Sequence, residues 1–115
     1  MMHNMISSWA EGEFKMMRMV PMAVDGMTVL GIEVKLPKTT LLAITAEEGY
    51  IMCGALDVGL LNEKLKDRRI IAGRAVGVRT LEQLLEAPLE SVTAEAENRG
   101  IHAGMTGKDA LARMA

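Results

Sequence analysis

The sequence predicts an α/β domain of the α+β type. We expect a mixed β-sheet with N-terminal antiparallel hairpins, one βαβ crossover and C-terminal short helices, in the order ββββαβααα. Three observations carry this. An Asp-Gly pair divides two apolar runs early in the chain. The hydrophobic period changes to a helical one at Asp57 and reverts at Arg69. The last third is punctuated by helix-capping residues. At 115 residues the chain is near the usual size of one domain. Its 50% hydrophobic and 24% charged composition is that of a folded globule.

Met16 to Val24 is predicted as the first strand, and Pro21, which cannot donate to a ladder, assigns it to an edge. Asp25-Gly26 tolerates positive φ at both positions and predicts a two-residue hairpin into a strand from about Met27 to Leu36. Alternation places Leu30, Ile32, Val34 and Leu36 on one face and Gly31, Glu33 and Lys35 on the other, so one face is expected to be wet in the monomer. Pro37-Lys38 turns the chain into a third strand over Leu41 to Thr45. After Glu47-Glu48-Gly49, the unbroken apolar run Tyr50 to Leu56 has the pattern of a strand buried on both faces.

Asp57 is a suitable N-cap for a helix carrying Val58, Leu61 and Leu65 on one stripe, closed near Asp67-Arg68. Arg69 to Val76 then forms another strand, parallel to its predecessor because a helix joins them. Thr80 and Gln83 form a capping box for a short helix ended by Pro88. A helix over Ser91 to Arg99 is stopped by Gly100, with Ile101 beyond it in the hydrophobic position. Thr106 and Asp109 open a last short helix carrying Ala110, Leu111 and Met114.

Seven of the eleven methionines fall between Met1 and Met22, a pattern that several alternative start codons would leave. Residues 1–15 are therefore expected to be a poorly ordered extension, with the domain proper over 16–115. This extension lacks a basic start followed by an apolar stretch, and no run of about 18 apolar residues follows. The expectation is a cytoplasmic protein without a membrane partner.

A net charge of −2 leaves no basic excess to neutralise phosphates along a backbone. Only Trp9, Phe14 and Tyr50 are aromatic, too few to stack bases. Nucleic acid is thus not an expected partner. The single cysteine excludes an intrachain disulfide and a cysteine-rich zinc site, and His3 and His102 are not at metal-binding spacing. No metal site and no cofactor are expected.

The stretch Val34-Lys35-Leu36-Pro37-Lys38-Thr39, followed by Gly49 to Val58, Arg74 to Val78, Leu84-Leu85, Ser91-Val92-Thr93 and Gly104 to Leu111, resembles the YunC-like family. This is a group of small prokaryotic proteins carried as domain of unknown function 1805. The likeness runs in order from about Met17 to Met114. It implies a compact α/β fold and brings no activity or catalytic residue with it.

Cys53 is the best candidate for chemistry. It ends a predicted central strand just before a helix, where ligands of open α/β sheets gather and where a thiol can become nucleophilic. Its neighbours Ile51, Met52, Ala55 and Leu56 favour plain core packing. Arg74 in an apolar strand must reach water, a carboxylate or a ligand, and Asp57 is a plausible carboxylate. Gly54, with its backbone at the strand-to-helix turn, and Lys38, beside the Pro37 turn, complete the candidate ligand residues.

Two classes of function follow. The first is a self-associating or partner-binding domain. A high apolar fraction and a sheet of few strands leave one face uncovered unless another subunit packs on it, so a homo-oligomer is expected. The second is an enzyme or binder of a small anionic molecule, with Cys53 as nucleophile, Arg74 as anchor and Asp57 as its orienter.

Overall fold

The computed structural model describes residues 16–55 and 58–115. The expected extension over Met1 to Lys15 and the expected N-cap Asp57 lie outside the described residues. Six strands form one sheet whose order follows the chain: β1 (Met17–Val24), β2 (Met27–Leu36), β3 (Thr39–Thr45), β4 (Tyr50–Met52), β5 (Ala72–Arg74) and β6 (Ser91–Val92). All neighbours are antiparallel except β4 and β5, which are parallel and separated in sequence by helix α1 (Val58–Glu63). The sheet is therefore mixed, with α2 (Leu81–Glu86), α3 (Ala94–Asn98) and α4 (Gly107–Ala112) in the C-terminal part.

The local signals act as their chemistry requires. Asp25 and Gly26 both have positive φ, at 51° and 79°, and close the first hairpin with Val24 opposite Met27. Thr80 Oγ1 accepts the Gln83 amide, whereas the Gln83 side chain reaches back to the amide of Arg79 rather than that of Thr80. At the end of α3, Gly100 (φ 83°) donates to Glu97 and Ile101 to Ala96, a complete Schellman motif with Ile101 fully buried.

Several boundaries differ from expectation. β4 stops at Met52 instead of Leu56, although the Cys53 amide still reaches Leu42 O. β5 is confined to three residues instead of spanning Arg69 to Val76, and Arg69 sits at φ 53° after a short 3₁₀ turn over Lys66–Arg68. The segment expected as one helix from Ser91 begins as β6, and α3 starts only after Thr93. Thr93 imposes the change. Its hydroxyl accepts both the Ala72 amide of β5 and the Ala96 amide of α3, and its own amide continues the ladder to Ala72 O.

One face of the sheet carries the main core. Leu42, Ile44, Ile51, Leu84, Leu89, Ile101, Leu111 and Met114 are fully buried there. Burying one such side chain contributes about 1.5–3 kcal/mol. Among the described residues, the opposite face is covered only over β4 and β5, where Val58 and Leu61 of α1 pack with Ala72, Tyr50 and Met52.

The wet face of β2 is not the one its residue types suggest. Val29 and Gly31 face the main core, and a side chain at Gly31 would stand 2.9 Å from Leu81 Cδ1 and Met22 Sδ. Glu33, on the same side, is held by Arg18 at 2.9 Å. The apolar row Leu30, Ile32 and Val34 therefore lies on the other face and joins neither buried cluster. Register pairs it with Pro21, Met19 and Met17 of β1, and the last two are 62% and 57% exposed.

Candidate functional site

The carboxyl ends of the parallel strands β4 and β5 lie side by side, with Met52 in register with Arg74. Arg74 leaves the sheet on the α1 side. Its Nε donates to Gly54 O at 3.2 Å and its Nη1 to Glu90 Oε1 at 3.0 Å. Ser91 Oγ donates to the same carboxylate oxygen at 2.8 Å. Beside this network opens a cleft of about 580 Å³ lined by Gly54, Val58, Asn62, Arg74 and Ser91. Asn62 is fixed there by its Oδ1, which accepts the Ala94 amide at 2.8 Å and ties α1 to α3.

Of the residues predicted for this site, Gly54 and Arg74 are brought together. Cys53 is not with them. Because Met52 shares the face of Arg74, the next residue points the opposite way, and Cys53 packs among Ile51, Ala75 and the main core at 7% exposure. Its Sγ accepts the Leu42 amide at 3.5 Å. His102 is exposed, with Nδ1 3.1 Å from Ala103 O. Asp57 lies outside the described residues, and Glu90, which nothing in the local sequence singles out, is the carboxylate that meets Arg74.

Lys38 sits elsewhere on the same end of the sheet. It is the second residue of the two-residue turn between Leu36 and Thr39, and its φ of 67° is one that glycine or asparagine adopts more readily. Around it a second cleft of about 580 Å³ is lined by Lys35, Lys38, Thr39, Thr40, Val78 and Arg79. Arg79 was not legible as part of a site, because the order of the strands and not sequence proximity carries it there. Among the described residues, no three His, Cys, Asp or Glu side chains converge as a metal ion would need. No helix there is long and apolar enough to cross a membrane.

Comparison with known proteins yields relatives without assigned activity. The model of a domain of unknown function, DUF1805, matches residues 52–114. The uncharacterised protein YunC of Bacillus subtilis is 59% identical over 99 residues, which cover 86% of this chain and 98% of that protein. Among solved structures, that of a protein of unknown function, TA1206 from Thermoplasma acidophilum, superposes with a TM-score of 0.78 at 29% identity, over 87% of this chain and 94% of that one.

Proposed function

The chain belongs to the DUF1805 family, and from that premise we propose that it is a self-associating domain whose uncovered sheet face packs against a second copy of itself. The observation that carries this reading is the apolar surface of β1 and β2. Met17, Met19, Leu30, Ile32 and Val34 lie on a face that no element among the described residues covers. Two strands of this length offer a footprint of about 26 by 10 Å. That is a few hundred Å², the size at which exposed apolar patches begin to mark interfaces. A symmetric pairing would set this face against itself and remove the methionines of both copies from water.

The edge position of β1 supports face-to-face packing over edge-to-edge extension. Pro21 lies in the middle of that edge and has no amide to offer a neighbouring strand. We also read the protein as cytoplasmic, since its lone cysteine is free and buried, as suits a reducing compartment.

Light scattering on the eluting peak is expected to give a multiple of the 12.5 kDa chain mass at micromolar concentration. The variant Ile32→Lys, which puts a charge at the centre of the face without entering the core, is expected to elute as a folded monomer. A monomeric wild-type chain at that concentration contradicts the reading.

A further inference from the structure

We propose that the cleft between the Pro37-Lys38 turn and the loop ahead of α2 binds a small molecule carrying a phosphate group. Three cationic side chains, Lys35, Lys38 and Arg79, line it together with the hydroxyl-bearing Thr39 and Thr40. Among the described residues none of the three cations has an ion-pair partner. The carboxylates that do pair are engaged elsewhere: Glu33 with Arg18, Glu48 with Arg99, Glu86 with Lys108 and Glu90 with Arg74. A protein with net charge −2 thus concentrates three unneutralised positive charges in one concavity. Such a grouping repels itself until an anion enters.

The position fits a binding site as well as the charge does. β3 runs antiparallel to β4, so its start at Thr39 lies beyond the carboxyl end of β4, and Arg79 follows the carboxyl end of β5. Ligands of open sheets containing parallel strands gather outside those ends. The loop is anchored at Arg79 and at the residue before it. Val78 packs against the main core, and the Arg79 amide is held by Gln83 Oε1 at 2.7 Å. Lys38 keeps a charged side chain at the φ of 67° that the turn requires, where glycine would relieve the backbone. Two ammonium groups and a guanidinium supply only donors and two hydroxyls can add theirs, which matches a dianion with several acceptor oxygens better than a singly charged carboxylate.

This inference is independent of self-association. The test is calorimetric titration of the full chain with inorganic pyrophosphate at low, fixed ionic strength. The wild type is expected to bind. The double variant Lys38→Gly, Arg79→Gln is expected to bind at least about tenfold more weakly, since each charge-assisted hydrogen bond lost is worth that much or more. Lys38→Gly also relaxes the turn, so unfolding of the unliganded variant should occur at no lower temperature than that of Lys38→Gln. Arg68→Gln, at the other end of β5, serves as the control and is expected to leave the dissociation constant unchanged. Absence of binding by the wild type, an unchanged constant in the double variant, or an equal loss in Arg68→Gln would each overturn the proposal.

Discussion

At the scale of single residues, Cys53 and Arg74 show how one step in register decides a site. Both occupy the carboxyl end of the parallel pair, as their sequence positions indicate. The alternation of side chains across a strand then sends them to opposite faces, because it is Met52, not Cys53, that stands opposite Arg74. No local pattern encodes that register. Cys53 is consequently a packing residue, and iodoacetamide is expected to label it only once the protein unfolds, as mass spectrometry with and without denaturant will show. Rapid labelling of the native protein at neutral pH would restore a chemical role. Cys53→Ser is expected to fold with a loss of about 1–3 kcal/mol, the cost of placing a hydroxyl in an apolar cluster. Arg74 is satisfied by Gly54 O and Glu90 in a half-exposed setting, where such a pair contributes about 0–1 kcal/mol. Its partner was not legible in the sequence, since Glu90 meets it only through the pairing of β5 with β6.

At the scale of elements, signals contained within a few residues and the parallel βαβ pairing of β4 with β5 were read correctly, whereas the short strand β6 and the inward face of β2 were not. Asp25-Gly26, Thr80, Thr106 and Gly100-Ile101 each act through neighbours within five residues, so their chemistry is visible in the chain. β6 has two residues and exists because Gly73 and Arg74 lie beside Val92 and Ser91. A propensity scan therefore merges it with α3. Thr93 is the joint between them. Thr93→Val removes the acceptor of two buried amides and is expected to cost about 2–4 kcal/mol in denaturant unfolding, while Thr93→Ser should recover most of it. A loss under about 0.5 kcal/mol in Thr93→Val would show that the amides find other partners. The inward face of β2 was hidden for a related reason. Gly31 and Glu33 read as solvent-facing, yet Gly31 is inward because Leu81 of α2 must approach the backbone there.

At the scale of the whole molecule, the main core lies on one face of the sheet, and among the described residues the other face is covered only over β4 and β5. The N-terminal half of that second face, built from β1 and β2, carries methionine, leucine, isoleucine and valine that no element among the described residues covers. The proposed self-association rests on that imbalance rather than on any motif. The most direct measurement is the oxidation of Met17 and Met19 by dilute peroxide as a function of protein concentration, read by peptide mass spectrometry, with fully buried Met114 as internal reference. Protection of both methionines at micromolar concentration, lost on dilution and in Ile32→Lys, is the predicted result. Oxidation of Met17 and Met19 at the rate of free peptide, whatever the concentration, would contradict the account.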